Sequence, residues 1–160
     1  MTPSKEIFIE VQKALKPIAK LELIDLDRKQ FQKGKENYPG NFTAALIKFP
    51  RIQYQSMTEQ VKEGTAEIEV ILYCKDGWMD QHQKTADANN GLTEIEVIDD
   101  IVEALEGLCG ISFTDLEQTL EEENEISEDD LMSFRIVFSS KVYKTVNKKY
   151  TNRGLTITRN

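Results

Sequence analysis

Residues 44–76 constrain the fold of this chain more than any other stretch. They read as a long, bent β-hairpin. Two extended runs, 44–49 and 51–57, lead out to a polar tip at 58–65, and a third run, 66–75, leads back. In the return strand Ile68, Val70, Leu72 and Cys74 fall on one face; Glu67, Glu69, Ile71, Tyr73 and Lys75 fall on the other. A period of two, rich in β-branched residues, predicts a half-buried strand. The tip carries Lys62, Glu63 and Gly64, and glycine takes the positive φ that a tight turn or bulge demands without steric cost. Pro50 interrupts the outgoing strand; lacking an N–H for the ladder, it marks an edge or a bend.

The remaining elements arrange themselves around this hairpin. Residues 4–16 form an amphipathic helix, with Ile7, Phe8, Val11, Leu15 and Ile18 on one face, Pro3 at its start and Pro17 at its end. Residues 20–26, with Leu21, Leu23 and Leu26, read as a strand. Residues 27–41 are a polar loop, with Phe31, Tyr38 and Phe42 as candidate anchors to the body. Beyond the hairpin, Asp76-Gly77 signals a turn and Asn89-Asn90-Gly91 closes a polar segment. Thr93 reads as the cap of a helix over 94–106, with Glu96 at the capping-box position. Ile98, Ile101, Val102, Leu105 and Leu108 form its buried stripe, and Gly107 and Gly110 stop it. Its outer face, Glu94, Glu96, Asp99, Asp100, Glu103 and Glu106, is acidic throughout. Residues 114–125 are extended, 121–130 form an exposed, self-repelling acidic loop, and 131–142 form the last core strand. In that strand Phe134, Ile136 and Phe138 face one way and Arg135, Val137 and Ser139 the other.

These elements predict an α+β fold: an antiparallel or mixed β-sheet with a long bent hairpin, flanked by two main helices. At 160 residues the chain suits one domain over 1–143, followed by a basic extension over 144–160. In that extension Leu155 and Ile157 alternate with threonines, a pattern for a short docked strand or for a segment that orders on meeting a partner. The net charge of −8 is unevenly spread. Residues 1–51 carry +4, residues 52–143 carry −17 and residues 144–160 carry +5. An acidic middle argues against a nucleic-acid-gripping surface, which needs clustered Lys and Arg. No apolar run approaches the about 20 residues of a membrane span. The first residues lack the layout of a signal peptide, so the chain reads as cytoplasmic.

Chemistry is sparse. His82 is the single histidine, and its pairing with Asp80 reads as a solvated short helix rather than a metal site. No serine or cysteine lies near it in sequence to act as a nucleophile. Neither Gly-rich phosphate loop, GxGxxG or GxxxxGK[ST], is present. Cys74 and Cys109 are far apart, without CxxC spacing, and read as two buried thiols. The sequence therefore calls for no catalytic residue, cofactor or metal.

Three local stretches carry a resemblance. Phe49-Pro50-Arg51-Ile52-Gln53-Tyr54 leads into Lys62-Glu63-Gly64-Thr65-Ala66-Glu67-Ile68, and the helix Ile98-Asp99-Asp100-Ile101-Val102-Glu103-Ala104-Leu105-Glu106-Gly107-Leu108 precedes a strand pair. Over residues 5–143 this layout resembles the tail terminator (tail completion) proteins of long-tailed phages and prophages. The resemblance implies a non-enzymatic structural protein, assembled in the host cytoplasm and carried in the virion tail. Such proteins form a ring, commonly of six subunits, that caps the tail tube and joins it to the head connector. The implied partners are further copies of the chain, the tube protein and the connector, with DNA only passing through the lumen and no membrane. If acidic surface lines that lumen, it would repel DNA and let the genome slide through without sticking. The expected subunit or tube contacts are Glu59, Lys62, Glu63, Gly64, Glu67, Glu69, Tyr73 and Trp78. The alternatives are another neck or head–tail joining component, or an acidic adaptor module that binds a basic partner.

Overall fold

Pro3 opens the first helix, α1 (Pro3–Leu15), where its missing N–H costs nothing. The computed structural model describes residues 1–31, 43–75, 92–123 and 131–147. Ile7, Val11 and Leu15, spaced four apart, are fully buried along α1, each burial contributing about 1.5–3 kcal/mol. The other elements are β1 (Leu23–Leu26), β2 (Thr43–Ser56), β3 (Val61–Lys75), α2 (Leu92–Leu105), β4 (Glu117–Glu123) and β5 (Leu131–Thr145). The fold is α+β. Its five described strands form one mixed sheet in the order β1-β2-β3-β5-β4. β1 pairs parallel with β2, and every other pairing is antiparallel.

The hairpin is the centre of the sheet. β3 pairs along its whole length with β5 and nearly all of its length with β2. Both helices cover one sheet face. There Ile7, Val11, Leu15, Ile98, Ile101 and Leu105 close over Ala45, Ile47, Ile68, Val70, Leu72, Ile136 and Phe138. The opposite face holds a second, smaller cluster of Phe31, Ala44, Leu46, Ile71 and Tyr73. The half-buried reading of the return strand is corrected at Ile71 and Tyr73, which are buried where Phe31 packs on the second face, and at buried Glu69, while Glu67 stays half-buried. The Phe31 and Tyr73 rings meet edge to face at 4.9 Å. Phe31 is an anchor, as expected.

Pro50 sits where the β2–β3 register slips by one residue between Lys48 and Arg51, a bulge that bends the strand. The turn is tighter than the expected tip. It occupies residues 57–60, where the Met57 and Thr58 N–H groups donate to Val61 O, and the Thr58 hydroxyl accepts from the Gln60 and Val61 N–H groups. Gly64 lies inside β3, opposite Tyr54 and Val142. Among the described glycines only Gly107 has positive φ (76°), in its expected place as the stop of α2.

Other boundaries shift. α2 begins at Leu92, so Thr93 lies within its first turn rather than before it, and Val97 joins its buried stripe. β5 runs on to Thr145, three residues past the expected end. Cys74 is buried, but Cys109 is exposed, in the loop that follows α2. The acids 121–123 belong to exposed strand β4 rather than to a loop. The expectations for Tyr38 and Phe42, for Trp78, Asp80, His82 and the 89–91 turn, for residues 124–130, and for the 148–160 extension lie outside the described residues.

Candidate functional interface

Among the described residues, the outer half of β2 has no strand along its outer edge. β1 is only four residues long and pairs with Ala44–Ile47; one further bond, from the Asp27 N–H to Ile47 O at 2.8 Å, ends it. Past that point the outer edge of β2 has no backbone partner among the described residues. Its Arg51, Gln53 and Gln55 are exposed and alternate with half-buried Ile52 and Tyr54. Tyr54 packs against the main core and lies under Lys144, whose Nζ is 5.7 Å from the ring centroid. Burial pushes the Tyr54 phenol up from its ordinary value. An open cleft of 320 Å³ crosses this half, lined by Gln53, Tyr54, Gln55, Glu63, Gly64, Thr65 and Lys141.

A peptide-like edge of this kind pairs with another strand through main-chain hydrogen bonds. The bulge and Pro50 blunt its inner end, leaving the six residues Arg51–Ser56 in regular register with β3 before the turn. The opposite side of the sheet ends in β4. There the Gln118 N–H is taken by Glu106 Oε2 at 2.8 Å, and the following residues, Thr119–Glu123, are exposed. Glu121, Glu122 and Glu123 put three carboxylates on that strand, alternating between its two faces.

The residues expected at contacts separate into groups. Glu59 and Lys62 are exposed, and Glu63 and Glu67 half-buried, on the turn and the outer half of β3. Gly64 is buried among them, and an added Cβ there would lie 2.5 Å from Gln53 O. Glu69 and Tyr73 are 3% and 7% exposed and present no surface to a neighbour. Tyr73 belongs to the second cluster, where burial and the Asp27 carboxylate push its phenol up to about 12. Trp78 lies outside the described residues.

Glu69 anchors an ionic row the sequence did not reveal. Lys48 Nζ lies 2.6 Å from its Oε2, Arg135 Nη1 3.5 Å from its Oε1, and Arg135 Nη2 3.0 Å from Glu122 Oε1. The row crosses four strands, and Arg135 Nε is buried with no hydrogen-bond partner among the described residues. Cross-strand pairs of opposite charge were the available signal, but they require a register that alternation alone does not supply.

A second rigid feature lies beside the hairpin end. The Ile111 N–H donates to Glu6 Oε1 at 2.6 Å and the Ser112 hydroxyl donates to Glu6 Oε2. The Ser112 hydroxyl and these backbone N–H groups hold the Glu6 carboxyl below its ordinary value, against an opposing push from partial burial. The clamp leaves Ile111 98% exposed. Among the described residues no three His, Cys, Asp or Glu side chains gather as a metal site, and no helix is long and apolar enough to cross a membrane.

No protein-family model matches this chain, and no curated protein matches it. Among solved structures, one similar chain belongs to the virion of a native gene transfer agent (GTA) particle. The two share 11% identity and superpose with a TM-score of 0.51, over 86% of this chain and 92% of the other. At that identity the likeness shows a common fold.

Proposed function

We propose that this chain is a virion structural protein of a phage or prophage tail, which caps the tail tube as a ring and presents a surface to the head connector. The observation that carries this reading is the fold shared, along nearly the whole of both chains, with a component of a phage-like particle. The outer half of the hairpin supports it, since ring assembly needs surfaces that a neighbouring subunit can engage. The turn at 57–60, with Glu59 and Lys62 exposed beside it, is the part proposed to meet the tube. A ring with α2 facing the lumen would turn Asp99, Asp100 and Glu103, all exposed, toward passing DNA and repel it.

The test is direct. Incubating the purified protein with isolated tail tubes and imaging in negative stain should show rings seated at tube ends, and growing tubes should stop at defined lengths. A protein that stays monomeric at high concentration and leaves tubes unaltered would sink the proposal. A ring structure with Asp99, Asp100 and Glu103 on the outer wall would remove the lumen role alone.

A further inference from the structure

Among the described residues, Arg51–Ser56 of β2 has a strand on one side only, β3. Its outward N–H and C=O groups are a template for one more strand. We propose that this strand comes from the chain's own C-terminal segment: residues 153–158 pair antiparallel with Arg51–Ser56. The path of the chain points there. At the end of β5 the Val146 N–H donates to Gln60 O at 2.7 Å, so the chain leaves the described fold beside the β2–β3 turn. The other stretches outside the described residues, 32–42, 76–91 and 124–130, join at the opposite end of the sheet. There Thr43 pairs with Cys74, Lys75 with Leu131 and Glu123 with Phe134, Phe31 meets Tyr73, and Lys20 holds Glu96 of α2. Three strand spacings separate β5 from a strand added outside β2, about 14 Å at about 4.8 Å each. Residues 147–152 reach up to about 20 Å at about 3.3 Å per residue. A strand that enters from the turn and runs inward is antiparallel to β2, which runs outward.

The side chains set the register. Ile52 and Tyr54 are half-buried at the margin of the main core, and Arg51, Gln53 and Gln55 alternate with them, exposed on the other face. Leu155 and Ile157 have the same spacing of two, between Gly154, Thr156 and Thr158. One register sets both apolar residues beside both half-buried ones: Leu155 opposite Tyr54, Thr156 opposite Gln53 and Ile157 opposite Ile52. A slip of one residue turns Leu155 and Ile157 to the polar face. A slip of two toward the turn sets Arg159 opposite Ile52. A slip of two the other way sets Ile157 opposite Pro50, where the ladder is broken. The pairing satisfies backbone groups along the edge and extends the apolar margin of the core. It does not involve the turn at 57–60 and does not rest on the ring reading.

Two measurements on the full chain test the pairing. Hydrogen exchange read residue by residue should show protection of the Arg51–Ser56 amides that point away from β3. Leu155→Asp with Ile157→Asp should speed their exchange about tenfold or more, while the amides of α1 and α2 report an unchanged fold. Equal exchange of the edge amides in both chains would overturn the proposal. In a Cys109→Ser background, Gln53→Cys with Thr156→Cys should form a disulfide within one chain, identified by peptide mapping. It should form faster than the bond in a chain carrying Gln53→Cys with Thr158→Cys. Equal rates for the two pairs would overturn the register. Bonds found only between chains would give the edge to the segment of a second copy and overturn the pairing within one chain.

Discussion

Lys48 Nζ lies 2.6 Å from Glu69 Oε2, and the carboxylate it serves is 3% exposed while the lysine keeps 39% of its side chain in solvent. The pair is unequal: the bases can turn to water, but the acid cannot. Removing the bases (Lys48→Met with Arg135→Met) should therefore cost more than removing the acid (Glu69→Leu). An uncompensated buried charge costs about 3 kcal/mol or more, whereas an apolar replacement of similar volume is often near neutral. Urea unfolding at neutral pH measures both; equal losses would mean that Glu69 reaches water by another route.

Gly64 and Gly107 are needed for different reasons, so their alanine variants should rank. At Gly64 the new Cβ meets Gln53 O at 2.5 Å and the Tyr54 ring at 2.9 Å. The first is backbone and cannot swing aside, so two strands must part, at a cost of about 2–3 kcal/mol. At Gly107 nothing lies within 4 Å, and only the positive φ is strained, at about 1–2 kcal/mol. Thermal and urea unfolding of the two variants give the order.

Glu6 makes stability depend on acid pH. Its folded carboxyl titrates below the ordinary value of 4.5 because the Ser112 hydroxyl and the Ile111 and Ser112 N–H groups favour the charged form. That contribution is present above the unfolded value and lost as pH falls through the folded one. Glu6→Gln should be less stable than wild type at pH 7, and the difference should shrink below about pH 4. Unfolding curves at pH 7 and pH 3.5 check it.

Tyr73 acts at the other end of the scale. Its phenol, pushed up to about 12 by burial and Asp27, stays protonated in the fold after the unfolded chain has ionised near the ordinary 10. The resulting stability is complete below pH 10 and lost as pH rises toward 12. Tyr73→Phe should flatten the alkaline decline between those values, as read from denaturation midpoints on a pH series.

Glu59 and Glu63 stand at the turn and on the adjoining strand, away from both helices. Reversing both to lysine should leave the circular dichroism spectrum unchanged and reduce capping of tail tubes in negative stain. Unchanged capping would place the tube contact elsewhere.

Much of the fold was legible in the sequence because local periodicity reports burial on one face. Ile7, Val11 and Leu15 announce α1 at helical spacing, and Ile68, Val70 and Leu72 announce the covered face of β3. Pro50 signalled an edge or a bend; the register slips there, on a stretch of β2 with no outer partner among the described residues. Period alone could not show that Glu69, Ile71 and Tyr73 are buried too. For Ile71 and Tyr73 that depends on Phe31, distant in sequence, packing on the second face. The same blindness hid the Lys48–Glu69–Arg135–Glu122 row, since its four members come from four strands.

The sequence by itself therefore determined the elements, the side of each that is apolar, and the uneven spread of charge, all properties of a chain and its nearest neighbours. Only the tertiary structure decided the strand order, the parallel pairing of β1, and the shortness of β1 that leaves the outer half of β2 without an outer partner among the described residues. Those follow from which segments meet across tens of residues. They turn the expected contacts at Glu69 and Tyr73 into internal supports and move the candidate interface outward, to the edge beside Arg51 and Gln53.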